Sequence, residues 1–159
     1  VGDAGVRLGS GETVDGDVVV AATGVLPDRR LATAAGLATE DGRIVVDEHM
    51  RTSDRNIYAA GDVTLAYNVS AGRSVVSEHW RDAAQQGLVA GLTAAGFPQS
   101  WNRVSEFTCK IGKFTLRYHG WSPPYDSCNV TDRRNGFSAT YECGGGIVGT
   151  LDATTSPAS

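Results

Sequence analysis

Eleven residues, from Thr52 to Asp62, constrain the fold of this chain more than any other part of its sequence. A polar turn leads into a short apolar strand, Ile57 to Ala60, which ends in Gly61-Asp62. A glycine at the end of a strand lets the backbone approach a ligand closely, and open α/β sheets bind ligands beyond the carboxyl ends of their strands. Because a carboxylate only accepts hydrogen bonds, Asp62 suits the hydroxyls of a sugar or sugar alcohol. The competing interpretation is that Asp62 caps a turn or a helix.

The segments around this stretch predict an α/β layer. Residues 18–22 form a continuous apolar run, which is typical of a strand buried on both faces of a parallel sheet. Residues 75–95 carry apolar side chains at every fourth position, which predicts one helix of about 30 Å that ends at Gly96. The shorter predicted elements are a hairpin of residues 6–8 with 12–14, a helix over 31–35, a strand over 44–46 and a loop over 64–72.

From Trp101 onward the sequence predicts an antiparallel β meander. Phe114, Leu116 and Tyr118 alternate with polar residues, as in a sheet with one covered face. Asn135-Gly136 is a strong signal for a two-residue hairpin turn, and three glycines at 144–146 indicate another turn. We therefore expect strands, and no helix, between residues 115 and 141.

Composition excludes several classes of function. The formal net charge is −4 and no basic patch dominates, which argues against nucleic acid as a partner. No apolar run approaches the roughly 20 residues of a membrane span. The sequence has three cysteines, an odd number, and no C-x-x-C motif: Cys109, Cys128 and Cys143. We therefore expect neither a disulfide framework nor a metal site. Single thiols in a reducing cytoplasm are the expected state.

The stretch that ends at Asp62 closely resembles the second flavin-binding fingerprint of the FAD-dependent pyridine-nucleotide oxidoreductases. Residues 22–28 look like the strand and turn that return the chain from the NAD(P)-binding domain of that family. The segment Glu78-His79-Trp80 resembles the corresponding segment in the ferredoxin-reductase-like branch of that family. The resemblance implies that Asp62 binds the ribityl chain of FAD, that the start of the long helix lies against the isoalloxazine, and that Trp80 lies near the nicotinamide site.

The resemblance also implies a domain division. We expect an α/β fold: a partial three-layer dinucleotide-binding domain followed by a smaller antiparallel β-rich domain. Residues 1–24 would end the NAD(P)-binding domain, 25–97 would form the C-terminal segment of the FAD-binding domain, and 98–159 would form the β-rich domain. The glycines of residues 144–149 have the G-x-G-x-x-G spacing of the family's two phosphate loops, but they lie in the predicted β structure and open no predicted helix. Gly9-Ser10-Gly11 is followed by Val14 where the third small residue belongs. Both loops are expected N-terminal to Val1, in a longer flavoprotein. Phe107-Thr108 also departs from the Phe-Trp that relatives often have near the flavin.

The expected function is electron transfer from NAD(P)H through FAD to an acceptor such as a ferredoxin. The predicted cofactor-binding residues are Gly61, Asp62, Glu78, His79 and Trp80. No side chain of this chain is predicted to be catalytic, because the flavin supplies the chemistry. By itself the chain is expected to hold FAD weakly or not at all, to be inactive, and to self-associate through apolar surface near residues 18–22.

Three alternatives stay open at this stage. Trp80 could pack in the core, while Glu78 and His79 could be solvated residues of the first helical turn. The chain could be a non-catalytic remnant or interaction module that holds no FAD. A disulfide-reducing enzyme of the same family is disfavoured, because the spacing of His119 and Glu142 does not suggest a His-Glu dyad.

Overall fold

A computed structural model describes residues 5–121 and 124–155. The N-terminal part of the chain begins with a short hairpin of β1 (Val6–Arg7) and β2 (Thr13–Val14), paired antiparallel, as predicted. Helix α1 (Arg30–Ala34) follows, and Gly36 just beyond it has a φ of +69°, which a glycine adopts readily at the end of a helix. The predicted helix over residues 31–35 is thus confirmed to within a residue.

A four-stranded mixed sheet contributes several residues of the buried hydrophobic cluster. Its strands, in spatial order, are β3 (Thr39–Glu40), β4 (Arg43–Val46), β5 (Thr64–Asn68) and β6 (Arg73–Val76). Strands β4 and β5 are parallel, and the other two pairings are antiparallel. Alternate residues of β4, Ile44 and Val46, are buried, which is the two-residue period of a sheet with one covered face. The buried hydrophobic cluster consists of Ala32, Ile44, Val46, Met50, Ala66, Val75, Val89 and Trp101.

The loop predicted over residues 64–72 is wrong, because its first five residues are the inner strand β5. Thr64 and Asn68 gave this segment its polar character, yet they are 1% and 0% exposed. The Asn68 side chain donates to the carbonyl of Arg103 at 2.9 Å, and the Thr64 hydroxyl donates to the carbonyl of Gly61 at 2.7 Å. Polar residues that find such partners can occupy a buried strand.

Two predicted strands are absent from the described residues. Residues 57–60 form no strand, and Tyr58 makes one isolated antiparallel bridge with Arg51. Residues 18–22 have no regular secondary structure, and Val18 and Val20 are 80% and 81% exposed. A β-branched run becomes a buried strand only where neighbouring strands and layers cover it. No described segment covers residues 18–22, which confirms the expected apolar surface at that position.

Helix α2 (Trp80–Ala94) begins five residues later than predicted, because residues 73–76 pair with β5 instead. Its 15 residues give a length of about 22 Å. The His79 ring caps its first turn, with Nδ1 accepting from the amide of Arg81 at 3.2 Å. The helix ends as predicted, since Gly96 has a φ of +88°.

A five-stranded antiparallel sheet forms the C-terminal part, as predicted, but the predicted meander order is wrong, because the fifth strand lies between the second and the fourth. Its spatial order is β7 (Ser105–Ile111), β8 (Phe114–Gly120), β11 (Gly146–Thr155), β10 (Gly136–Cys143) and β9 (Ser127–Arg133). The β9–β10 hairpin turns at Arg134-Asn135, one residue before the predicted position, and β10 and β11 join at Gly144-Gly145. The two sheets and α2 confirm the predicted fold class, whereas the domain boundaries stay predictions. No helix among the described residues is long and apolar enough to cross a membrane.

Candidate functional site

The Gly61-Asp62 turn lies directly on the first turns of α2. Gly61 has a φ of +82°, a conformation that side chains other than glycine rarely adopt. A Cβ at this position would lie 3.3 Å from the Cβ of Ala83. Glycine therefore satisfies two requirements here, the backbone angle and the close approach to the helix.

A buried amide joins the turn to the helix. Gln86 of α2 is fully buried, and its Oε1 accepts from the backbone N–H of Gly61 at 2.7 Å. The Thr64 hydroxyl lies 2.7 Å from the carbonyl oxygen of Gly61 and 3.0 Å from Gln86 Oε1. The amide of Thr64 also donates to the Gly61 carbonyl at 2.9 Å. Both backbone polar groups of Gly61 are thereby held in place.

Arg43 links the turn to the segment just before α2. Its guanidinium donates to the backbone carbonyl of Asp62 and, through Nη2, to Glu78 Oε1 at 2.5 Å. The Arg43 side chain is only 12% exposed, whereas that of Glu78 is 62% exposed. Arg43 was not among the residues that the sequence predicted for the site. Its only signal was the position at the start of a strand next to the fingerprint, which does not show what a long side chain reaches.

The Asp62 carboxylate is exposed and makes no hydrogen bond or ion pair within residues 5–121 and 124–155. Its backbone is fixed by Arg43, while its two acceptor oxygens point to no described donor. The alternative that Asp62 caps a helix or turn is therefore wrong for the described residues. The carboxylate is available to accept hydrogen bonds from a ligand.

The segment Glu78-His79-Trp80 places three different side chains at the start of α2. Glu78 pairs with Arg43, and His79 caps the helix. Trp80 is 71% exposed, so the alternative that it packs in the core is wrong. The structure thus brings together all five residues predicted for the site. Arg43 and Gln86 link the Gly61-Asp62 turn to α2 and to the segment just before it. Whether they contact a cofactor stays a prediction.

An aromatic row leads from the helix start onto the C-terminal sheet. The His79 ring stacks on Phe107 of β7 with centroids 5.5 Å apart, and Phe107 stacks on Tyr118 of β8 at 5.1 Å. The Tyr118 hydroxyl donates to the carbonyl of Trp121 at 2.9 Å. Burial raises the pKa of the Tyr118 phenol, and the neighbouring Tyr141 raises it further. These three rings form one stacked row beside the helix.

Asp82 of α2 connects the helix to the C-terminal sheet. Its carboxylate is 7% exposed and accepts from Ser77 Oγ at 2.7 Å and from Ser105 Oγ at 2.6 Å. Asp82 and Tyr118 both line a cleft of 540 Å³ beside the helix start. Its full lining is Val76, Ser77, Glu78, His79, Asp82, Ser105, Phe107, Thr108, Cys109 and Tyr118.

The chemistry of this arrangement is that of a binding site. The start of α2 offers backbone N–H groups and the positive end of the helix dipole to a partly negative ligand edge. The aromatic row can pack against a planar ring, and the Asp62 carboxylate can accept from hydroxyl groups. Within the described residues no group of three or more His, Cys, Asp or Glu side chains could hold a metal ion.

Two reductases are similar to this chain in sequence. The chain is 39% identical over 117 residues to the ferredoxin–NAD(+) reductase component of the anthranilate 1,2-dioxygenase system of Burkholderia cepacia, which is 74% of this chain and 25% of that protein. It is 34% identical over 123 residues to the rubredoxin-NAD(+) reductase of Pseudomonas putida, which is 77% of this chain and 32% of that protein. The chain therefore spans about a quarter to a third of the length of these relatives.

The fold is also shared with a solved structure, and the family itself is matched directly. The ferredoxin reductase for the CYP199A2 system from Rhodopseudomonas palustris superposes with a TM-score of 0.81 at 29% identity, over 94% of this chain and 37% of that one. The sequence profile of the pyridine nucleotide-disulphide oxidoreductases matches residues 1–87, more than half of the chain. The chain belongs to the pyridine nucleotide-disulphide oxidoreductase family.

Proposed function

We propose that this chain supplies part of the FAD site of a reductase that takes electrons from NAD(P)H and passes them to a ferredoxin-like iron–sulfur protein or a similar small electron carrier. The single observation that carries the proposal is the Asp62 carboxylate, which is free of any described partner although its backbone is fixed on both sides. A carboxylate without a partner, on a backbone held in place, is suited to ligand hydroxyls, and the ribityl chain of FAD carries three of them.

Each residue of the site has a part in this proposal. Asp62 accepts hydrogen bonds from the ribityl hydroxyls, and Gly61 allows the backbone to approach the cofactor. Glu78, His79 and Trp80 bring the start of α2 to the isoalloxazine, where the positive end of the helix stabilises negative charge on the ring. When bound, FAD would supply the hydride and electron chemistry, while these residues bind, orient and exclude water.

The proposed electron acceptor follows from the two similar reductases. One relative is a ferredoxin reductase component and the other a rubredoxin reductase, and both are NAD(+)-linked. The cytoplasm is the proposed compartment, because Cys109, Cys128 and Cys143 are all free thiols in the structure.

The test compares two preparations for bound flavin and for activity. One is the natural polypeptide that contains this chain, and the other is residues 1–159 alone. We expect the natural polypeptide to be yellow and to reduce a ferredoxin with NADH or NADPH. In the 159-residue chain the G-x-G-x-x-G spacing occurs at residues 144–149, which join β10 to β11 and open no helix. Without a phosphate loop at a helix N-terminus, the chain should be colourless and should not quench FAD fluorescence at micromolar concentration.

Two outcomes would contradict the proposal. A natural polypeptide that holds no FAD would favour the alternative of a non-catalytic interaction module. Stoichiometric, micromolar FAD binding by residues 1–159 alone would show that the main binding determinants lie within this chain and not in phosphate loops outside it.

A further inference from the structure

Gln86 is a fully buried polar side chain of α2 that contacts the Gly61-Asp62 turn. We infer that its carboxamide is a positioning group: through Gly61 it sets where the Asp62 carboxylate stands relative to the start of α2. This inference rests on the proposed function, since it concerns the same cofactor site. Gln86 itself is not a predicted ligand contact, because its hydrogen bonds go to Gly61 and Thr64.

The orientation of the amide follows from its neighbours. The backbone N–H of Gly61 can only donate, so the atom of Gln86 that lies 2.7 Å from it must be the oxygen. The Thr64 hydroxyl, 3.0 Å away, can donate to the same oxygen or to the carbonyl of Gly61. Turning the amide over would place one N–H against another. The carboxamide oxygen is therefore fixed at the turn.

The consequence for Asp62 comes from the covalent chain. Gly61 is held at its N–H by Gln86 and at its carbonyl by Thr64, and Asp62 is held at its carbonyl by Arg43. With these groups fixed, the orientation of the peptide plane between Gly61 and Asp62 sets the direction in which the Asp62 side chain leaves the backbone. Removing the Gln86 oxygen leaves the Gly61 N–H buried without an acceptor, so the turn must move to reach water.

The spacing of residues along α2 connects Gln86 and the Gly61-Asp62 turn to the start of the helix. Ala83, whose Cβ would lie 3.3 Å from a Cβ at Gly61, precedes Gln86 by three residues and lies on the same face of α2. The helix that carries these two residues is the one that begins at Trp80. Gln86 therefore sets the distance between the carboxylate at Asp62 and the aromatic end of the site, two features that must span one cofactor.

The test uses the flavoprotein that contains this chain, with three single substitutions. Gln86→Leu removes both polar atoms, Gln86→Glu keeps an acceptor oxygen for Gly61, and Gln85→Leu makes the same chemical change at the neighbouring position as a matched control. We expect Gln86→Leu to raise the Kd for FAD by about tenfold or more. Gln86→Glu and Gln85→Leu should stay within about threefold of the unsubstituted protein.

A double-mutant cycle separates positioning from general stabilisation. If Gln86 acts through Asp62, then Gln86→Leu should weaken FAD binding by less than about twofold once Asp62→Asn is present. Full additivity of the two losses would overturn the inference. Equal FAD binding by Gln86→Leu and the unsubstituted protein would also overturn it, as would a folded Gln86→Glu variant that binds as poorly as Gln86→Leu.

Hydrogen exchange on the unsubstituted protein tests the contact even if Gln86→Leu does not fold. The amide of Gly61 should exchange slowly, because its acceptor is buried, and exchange at the rate of an open loop would overturn the inference. Failure of the proposed function would look different, since the unsubstituted protein would then bind no FAD at all.

Discussion

Arg43 and Glu78 form an ion pair, with Nη2 and Oε1 2.5 Å apart, between residues that are 35 positions apart in the chain. The same guanidinium donates to the backbone carbonyl of Asp62. One nearly buried side chain therefore connects the strand β4, the Gly61-Asp62 turn and the segment before α2. A pair of this kind fixes the relative position of two halves of a site more than it stabilises the fold, since Glu78 is 62% exposed.

Arg43→Met should destabilise the protein more than Glu78→Gln does. Both substitutions break the ion pair, which is worth about 0–1 kcal/mol at an exposed position. Only Arg43→Met also removes the charged donor from the Asp62 carbonyl, a hydrogen bond worth about 1.5–3 kcal/mol. Urea denaturation followed by circular dichroism measures both. Equal losses in the two variants would mean that the Asp62 carbonyl finds water instead.

Asp62→Asn should separate stability from flavin binding. The carboxylate has no described partner, so the free energy of unfolding should change by less than about 0.5 kcal/mol. FAD affinity in the natural polypeptide should fall by about tenfold or more, because hydrogen bonds to a charged acceptor are lost. The matched control is His119→Ala on the exposed side of β8, which should leave flavin occupancy unchanged. Loss of flavin in both variants would indicate a general effect of substitution.

Asp82→Ala should loosen the contact between α2 and the C-terminal sheet. The substitution leaves the hydroxyls of Ser77 and Ser105 without their acceptor, and we expect a destabilisation of about 2–4 kcal/mol. Asp82→Asn keeps one carbonyl oxygen and should cost less. Thermal unfolding by calorimetry measures the difference, with Ser105→Ala as the control that removes one donor. A loss from Asp82→Ala no greater than that from Ser105→Ala would contradict this role.

Tyr118→Phe should change how stability falls at alkaline pH. Burial raises the pKa of the Tyr118 phenol above its ordinary value, so the unfolded chain ionises first as the pH rises. The stability linked to this group is therefore fully present below about pH 10 and is lost as the pH rises through the folded pKa. Between pH 8 and 11 the melting temperature of Tyr118→Phe should fall less steeply than that of the unsubstituted protein. Tyr67→Phe on the other sheet is the control, and identical slopes for both variants and the parent would be inconsistent with the prediction.

Val18→Lys with Val20→Lys should reduce self-association of residues 1–159. Both valines are about four-fifths exposed, 80% and 81%, within an apolar run that has no regular secondary structure. An exposed, unpaired β-branched segment is a site for association between chains. Light scattering after gel filtration at increasing concentration should show less oligomer in the double variant. Leu88→Lys, at an isolated exposed position on α2, is the control, and the same reduction from it would point to added charge alone.

Local pattern determined a large part of this structure. The strands of the C-terminal sheet follow the alternation of apolar and polar residues, and their turns occur within one residue of the glycine signals. The sequence also predicted strand β4, helix α1 and the end of α2. A buried face appears as an apolar periodicity and a positive φ appears as a glycine, and both are short-range patterns. The Gly61-Asp62 turn belongs to this class, since only glycine suits its backbone.

Partners distant in sequence decided the rest. Residues 64–68 became an inner strand because Thr64 and Asn68 found partners at Gly61, Gln86 and Arg103. Residues 18–22 did not become one, because no described strand pairs with them. The roles of Arg43 and Gln86 depend on contacts 19, 25 and 35 residues away along the chain. The sequence shows which side chains can donate or accept hydrogen bonds. It does not show their partners, because those depend on which groups the tertiary structure buries together, away from water.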